Sequence, residues 1–469
     1  MQKNYTKLGV EKGFTKIKLL RHLSKALSFW YNARVVIVRL KYASMLITTT
    51  RRRFLGFLGT SLAAPALLAQ EQGESPSAPN LVDSPPVLQC PSENNITVVW
   101  AVGQPATGFV QFGTSEDKLD QTAYGEIFGL NPYNDRFLQV RIEGLKPNTR
   151  YFYRTVTRAF KFVNAYQFEQ GEPVQSKVYP FETPSAESKT GSFSVINDTH
   201  SNQETLKVLA AKLAAIKSDY TIWNGDLVNS YDNADVAVAS ILRPGDSDGN
   251  SEIAAERPLL FVPGNHDYRG AWARNISLCL PTWNHSAPAD RPFGRNFVVR
   301  KGQLALIGLD TGEDKPDNRS EWGGLARFEP YRFAQRAWLE RALKSPAVAT
   351  APFVVAFCHI PLFDSNPKAN GGDSPEGWAS YQKQAGELWG PLLTQYGVQL
   401  VVAAHTHRFR FDPSTSERTW AQVVGAGSAL ARGVTVIHGK AEGDSLKVVV
   451  DSISKNEEIG RWTFAKRIV

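Results

Sequence analysis

From residue 192 onward the chain switches repeatedly between two hydrophobic patterns. Short runs that are almost wholly apolar, at 192–196, 220–223, 259–262, 353–357 and 398–402, each end in a polar or glycine-bearing loop. Runs of that length, rich in β-branched and aromatic residues, predict central sheet strands rather than helices. Between them the spacing lengthens: from Gln203 to Lys217, behind a Ser201-Asn202 start, Leu206, Leu209, Leu213 and Ile216 share one helical face. Ala334, Trp338, Leu339, Ala342 and Leu343 mark a second amphipathic helix, and Gln382 to Gln395 a third. After His407 strand patterns return at 420–424, 434–437 and 446–450, separated by Gly and Asp turns. Strands and helices in alternation predict an α/β domain over residues 192–469.

Residues 87–183 read differently. They hold no clear helical period, and Ile96, Val98 and Trp100, then Leu138, Val140 and Ile142, alternate as half-buried strands do. Several such strands predict an antiparallel β-sandwich. Residues 70–86 and 184–191 read as linkers on either side of it, and no internal repeat is visible.

The chemistry lies where the apolar runs of the α/β domain stop. In chain order stand Asp198-Thr199-His200, Gly225-Asp226, Gly264-Asn265-His266-Asp267, His359 and His405-Thr406-His407. Singly these are ordinary, since Gly-Asp is a common turn dipeptide and an Asp or His in a loop is usually just solvated. Jointly they are not: five of the seven histidines beyond residue 50 fall in these clusters. Carboxylate, amide and imidazole donors mixed in this way suit Zn, Mn or Fe. Two such ions about 3.5–4 Å apart can hold both sides of an in-line displacement at phosphorus. Loops beyond strand C-termini are also where open α/β sheets place their sites.

The order and local context of these clusters resemble the calcineurin-like metallophosphoesterases, whose signature runs DxH, GD, GNH(D/E), H and GHxH. All five elements are present. The resemblance implies a two-sheet αββα sandwich, whose second sheet the strands after His407 are expected to close, and a first metal held by Asp198, His200, Asp226 and His407. It implies a second metal held by Asp226, Asn265, His359 and His405, with Asp226 as the bridge. Two divalent or mixed-valence ions (Mn, Zn or Fe) are the implied cofactors, and hydrolysis by a metal-activated hydroxide the implied reaction. His266 matches a residue that contacts phosphate outside the metal shell, which makes it the candidate proton donor to the leaving alcohol. Asp267, its neighbour, is expected to orient it and raise its pKa.

The stretch Leu145-x-Pro147-x-Thr149-x-Tyr151-x-Tyr153 resembles a late strand of a fibronectin type III-like sandwich, and purple acid phosphatases carry such a domain before the catalytic one. This chain departs from that group at one telling position. Where they have a metal-binding Tyr, three residues after the bridging Asp, it has Asn229, with Tyr231 two places out of register. A colourless enzyme without an iron-tyrosinate contact is the expectation. Ala404 stands where the family has Gly, at slight cost unless the backbone there needs a positive φ.

Charge separates the N-terminal stretch from the rest. The chain is +8 overall, but residues 1–69 carry thirteen Lys/Arg and one acid, leaving 40 against 44 beyond them, so no nucleic-acid-binding surface is evident. Ten of those basic residues fall in 1–44; within 45–69, Thr50-Arg51-Arg52-Arg53-Phe54-Leu55-Gly56 matches a twin-arginine export signal, followed by a short apolar run to Leu68 and small residues. That run is too short for a stable transmembrane anchor. Residues 1–44, before Met45, read as an upstream extension from a misassigned start codon, with a basic, membrane-associated arm as the alternative. Export to the bacterial periplasm or beyond, with the twin-arginine machinery as partner, is the expectation. Three cysteines, Cys90, Cys279 and Cys358, leave one thiol unpaired in any monomeric disulfide scheme.

The combined reading is an exported dimetal phosphatase acting on a small phosphate monoester. A phosphodiesterase or nucleotidase with the same metals is the alternative, because ester choice belongs to the loops around the site. Arg269, Arg274, Arg291 and His285 lie in those loops as candidate grips for a second phosphate or a nucleotide. A binding protein with an inert hydrolase fold is the reading from another class, and it would predict a broken ligand set. None of the seven ligands is missing.

Overall fold

The computed structural model describes residues 80–245, 252–283, 293–364 and 379–467. The expected upstream extension, the export signal, most of the first linker, Arg291 and His285 lie outside the described residues.

Two sheets face each other over residues 87–182. One is antiparallel, Val87–Gln89, Asn95–Ala101 and Phe137–Glu143; the other pairs Ala106–Gly113 with Arg150–Asn164 and adds Gln121–Ala123 and Tyr179–Glu182 at its edges. Ile96, Val98, Trp100, Leu138, Val140 and Ile142 point into the core between them, as their alternation predicts. Tyr151 Oη accepts a hydrogen bond from the Lys146 amide at 3.0 Å, which pins the corner that leads into the long strand.

The first of these sheets has no solvent face. Val87, Val99, Ala101 and Phe137, on its other side, join a core that includes Leu206, Trp223, Leu259 and Phe261 of the α/β region. Gln89 also pairs in parallel with Leu259, so the sheet runs on into the catalytic one and the combined sheet has nine strands. Apolar residues at both odd and even positions of 96–101 are what a strand buried on both faces requires.

In the α/β region, β1 (Gly191–Ile196), β2 (Tyr220–Asn224) and β3 (Leu259–Val262) are parallel neighbours in that nine-stranded sheet. A second sheet contains β4 (Phe297–Lys301), β5 (Leu304–Gly308), β6 (Phe353–Phe357), β7 (Leu400–Ala403), β8 (Arg410–Asp412) and β9 (Ala421–Val424). Phe193, Ile222 and Leu260 of the first sheet pack against Phe297, Leu306, Phe353 and Val402 of the second. Outside them, α1 (Gln203–Ala215) covers the first sheet through Leu206, Leu209 and Leu213. On the far side α2 (Phe328–Lys344) and α3 (Ala379–Gln395) cover the second through Trp338, Leu339, Trp389 and Leu393. This is the expected αββα sandwich. The Asn202 side chain caps α1 by accepting from the Thr205 amide at 2.9 Å, as the Ser201-Asn202 start suggests.

The terminal strands correct one expectation. They were expected to close the second sheet, but only β9 joins it. β10 (Thr435–Glu442) pairs antiparallel with β1, and β11 (Ser445–Ser452) and β12 (Glu457–Ala465) follow outward on the first sheet. Ile437, Val448 and Val450 enter the core between the sheets from that side. An alternating strand fits either sheet edge equally well, so its pattern does not name its neighbour.

Candidate metal centre

All five polar clusters leave the C-terminal ends of parallel strands: β1 leads to Asp198, β2 to Asp226, β3 to Asn265, β6 to His359 and β7 to His405. The fold therefore brings the seven side chains singled out above to one edge of the sandwich. Asp198, His200, Asp226 and His407 hold one candidate ligand atom each within 4.8 Å of one another, and Asp226, His359 and His405 do the same. Asp226 belongs to both groups. Asn265 joins the second through Oδ1, 3.0 Å from His405 Nδ1.

The backbone is bent to achieve this. Asp198, His200, Asp226, His405 and His407 all have positive φ, between 47° and 70°. A non-glycine residue in the left-handed region costs roughly 1–2 kcal/mol, and a cluster of them marks a functional turn. At Ala404 the φ is not among the positive values, so the alanine is tolerated where the family pattern has glycine. Gly225 and Gly264 are required for another reason. A Cβ on Gly225, itself at φ +86°, would lie 2.2 Å from His359 Nδ1, and one on Gly264 would lie 2.3 Å from Asp226 Oδ1.

Hydrogen bonds aim the ligand atoms. His359 Nδ1 lies 2.8 Å from the Asn224 carbonyl, so that nitrogen carries the proton and Nε2 turns toward Asp226 Oδ2 at 3.3 Å. Asn197 Nδ2 and the His405 amide both donate to Asp198 Oδ2, at 2.6 and 3.2 Å. Asp198 Oδ1 and His359 Nε2 are left buried with no hydrogen-bond partner. The two atoms lie 3.8 Å apart and their other near neighbours, His407 Nε2 and Asp226 Oδ2 at 3.3 Å each, are ligand candidates too, an arrangement that fits a cation taking the place of the proton on His359.

Electrostatics agree. Burial works against charge on His359, yet the Asp226 and Asp198 carboxylates push it up to about 10. Burial, together with the neighbouring His359, pushes His405 down to about 4. Burial also opposes ionisation of Asp198 and Asp226, but the surrounding imidazoles hold both below the usual carboxylate range. Two anionic carboxylates packed among imidazoles are the donor set a divalent ion calls for.

Asp267 is a correction. Its carboxylate does not orient His266; it accepts from the amides of Asp226 and Gly264 at 2.9 and 2.8 Å, from the Leu227 amide at 3.2 Å and from Tyr231 Oη at 3.4 Å. It is buried on the far side of its short 3-10 turn, where it ties the Asp226 loop to the Asn265 loop. Burial and the Asp226 charge push its pKa up to about 7. His266 is set instead by Asn229 and Arg269: Nδ1 is 2.8 Å from the Asn229 carbonyl and Nε2 is 2.9 Å from Arg269 Nη1. Its ring meets that of His200 edge-on at 4.8 Å, at the border of the ligand groups. Tyr231 is buried with its hydroxyl on Asp267, and the Asn229 amide reaches the His200 carbonyl at 3.2 Å.

Sequence reasoning missed several supporting residues. Asn197 and Asn224 aim Asp198 and His359, and only their position next to a ligand motif hinted at this. Arg269, one of the loop arginines noted above, is held by Glu313 and Asp314. Asp314 in turn lies 4.0 Å from His405 Nε2. Nothing in the 311–330 loop pattern announces that network.

Comparison with known proteins places this geometry in context. Residues 192–409 match the family model for calcineurin-like phosphoesterase, and residues 86–183 that for the purple acid phosphatase N-terminal domain. Probable purple acid phosphatase 20 of Arabidopsis thaliana is 24% identical over 336 residues, which is 67% of this chain and 66% of that protein, just under two thirds of its length. The structure of purple acid phosphatase PPD1 from yellow lupin (Lupinus luteus) seeds aligns with a TM-score of 0.55 at 16% identity, covering 81% of this chain and 74% of that one. At that identity the likeness is one of fold.

Proposed function

We propose that this chain, whose residues 192–409 belong to the calcineurin-like phosphoesterase family of metal-dependent hydrolases, is an exported phosphatase that hydrolyses small phosphate monoesters. The carrying observation is the pair of ligand groups that share Asp226. One ion is assigned to Asp198, His200, Asp226 and His407, the other to Asp226, Asn265, His359 and His405. When bound, such a pair supplies Lewis acidity toward phosphoryl oxygens and makes a water acidic enough to attack near neutral pH.

The chain's own groups do the rest. Asp226, which belongs to both ligand groups and has two oxygens, would serve both ions and offset part of their charge, while the neutral Asn265 carbonyl would fill a position without adding more. His266 Nε2 and Arg269 Nη1, 2.9 Å apart at the border, lie close enough for one phosphoryl group to meet both. The guanidinium neutralises phosphoryl charge, and once that phosphoryl group draws Arg269 off His266 Nε2, the imidazole, whose pKa burial holds low, can take up a proton there and pass it to the departing alcohol oxygen. Mixed nitrogen and oxygen donors favour Zn, Mn or Fe. Asn229 at the family's tyrosine position, with the Tyr231 hydroxyl engaged by Asp267, favours a centre that lacks a phenolate ligand.

Export rests on the twin-arginine pattern at residues 45–69, and it makes the periplasm or the medium the place of action. Among the described residues no helix is long and apolar enough to cross a membrane. The test is reconstitution with Mn, Zn or Fe, followed by parallel assays on a chromogenic phosphate monoester and the matching diester. Monoester hydrolysis that disappears on chelation is expected, and a strong diester preference would overturn the monoester assignment.

A further inference from the structure

The loop after β5 carries two adjacent carboxylates, Glu313 and Asp314, and α2 holds it firmly in place. Arg332, fully buried on that helix, donates from Nε to the Thr311 carbonyl at 2.6 Å and from Nη2 to the Glu313 carbonyl. The buried Glu313 side chain takes Arg269 through two bonds, Nε to Oε1 at 2.7 Å and Nη2 to Oε2 at 3.1 Å, and accepts from the Asp314 amide at 3.0 Å. Arg269, Arg274 and Glu313 line a cavity of about 750 Å3, so the loop borders an approach to the metal centre.

The two oxygens of Asp314 divide their work. Oδ1 accepts from Lys315 Nζ at 2.8 Å and from Arg269 Nη2 at 3.0 Å. Oδ2 lies 4.0 Å from His405 Nε2, where the attraction is electrostatic rather than a formed hydrogen bond. The other ring nitrogen, Nδ1, is 3.0 Å from Asn265 Oδ1, inside the group assigned to the second ion. Burial holds the His405 ring neutral, with one proton and one lone pair. Two acceptors therefore compete for that proton. On Nδ1 it bonds the Asn265 amide oxygen, and no lone pair is left there for a cation. On Nε2 it faces the Asp314 carboxylate, and Nδ1 keeps its lone pair. An anion attracts an N–H more strongly than a neutral amide does, and both side chains are largely buried, so solvent screens the attraction little.

We propose that Asp314 is a positioning residue for the second ion: one oxygen keeps the His405 proton on Nε2, so that Nδ1 stands ready as a ligand, while the other anchors Arg269. A single carboxylate thus sets a metal ligand and the phosphoryl grip with respect to each other. This rests on the dimetal reading above and deepens it. A carboxylate behind a ligating imidazole fixes its tautomer and raises its basicity, and losing it lowers metal affinity about 10–100-fold. The first ion's group makes no hydrogen bond or ion pair with Asp314 among the described residues, so only one of the two affinities depends on it.

The full chain, stripped by chelation, is titrated with zinc against a chromophoric competitor. One of the two zinc affinities should fall about 10–100-fold in Asp314→Ala while the other stays unchanged. Asp314→Asn, which keeps the size and removes the charge, should do the same, and Asp314→Glu should recover part of the loss. In a His405→Ala background Asp314→Ala should have no further effect, because the two residues act as one unit. Ring-nitrogen NMR of the metal-free, 15N-histidine-labelled chain, with His405 identified by its loss in His405→Ala, reads the tautomer directly. Wild type should carry the proton on Nε2, and the Nδ1-protonated form should gain in Asp314→Ala. Unchanged zinc affinities, an equal fall in both, or the same tautomer population in wild type and variant would overturn the proposal. A wild type that binds a single zinc ion would instead sink the dimetal reading, and the tautomer, read without metal, would still decide the role of Asp314.

Discussion

Replacing Asp267 separates two roles that its sequence position leaves confounded. Asp267→Ala removes the acceptor for three backbone amides, those of Asp226, Leu227 and Gly264. Each buried donor left without a partner costs about 1–3 kcal/mol, and removal of a buried charge beside Asp226 offsets part of the sum. A net loss of about 3–5 kcal/mol is expected, on the scale of breaking a buried ion pair. Asp267→Asn should cost less, roughly 1–3 kcal/mol, because one oxygen can keep the two shorter bonds while the new amide faces the Leu227 amide. Urea unfolding of chelated protein measures the stability, and metal analysis after dialysis measures the consequence for the site. Both variants should lose metal in the order of their destabilisation, because the loops they loosen carry Asp226 and Asn265. If Asp267→Ala unfolded at the wild-type urea concentration and kept its metals while kcat collapsed, Asp267 would be a proton-transfer partner after all, and the loop-tying account would fail.

Asp226→Ala should drop bound metal from two ions per chain to fewer than one and abolish turnover, as read by elemental analysis beside the monoester assay; full activity would remove the proposed bridge. His266→Ala should retain metal but lower kcat on an alkyl phosphate by about 10²–10⁴, the range of a lost general acid. It should lose less on an aryl phosphate, whose leaving group needs no proton. Iron-loaded wild type should show no visible phenolate absorption, whereas Asn229→Tyr, placing a phenol on the exposed rim next to the His200 loop, should gain it; a purple wild type would refute the assignment of Tyr231 to Asp267.

The strand ends and their ligands were legible because burial and metal chemistry both write themselves locally. Leu259–Val262 can be read as a buried strand, and Asn265 just beyond it as a loop donor, with no knowledge of the partners. What a residue faces across a turn is not local. Asp267 sits one place from His266, yet a 3-10 turn sends the two side chains to opposite sides, and only the positions of Gly264 and Leu227 decide which is pinned. The destination of β10 to β12 was hidden for a similar reason, since their alternation suits any open sheet edge. The hairpin of β4 and β5 is legible in principle, because its two apolar runs flank a Lys301-Gly302 turn. Of the arginines flagged as substrate grips, Arg269 and Arg274 do border the centre or its cavity, and what distinguishes them is the company they keep.

The seam between the two halves carries a lesson for anyone dividing this chain. On paper residues 184–191 look like the natural place to cut, with a self-contained sandwich on one side and an enzyme on the other. The strand at Asn95–Ala101 serves two masters, however: Trp100 belongs to the sandwich, and its neighbours Val99 and Ala101 are an inner wall of the enzyme. A hydrolase released at that cut would meet water with an oily flank, and a foreign sandwich grafted in its place would have to reproduce that wall before it could reproduce anything else.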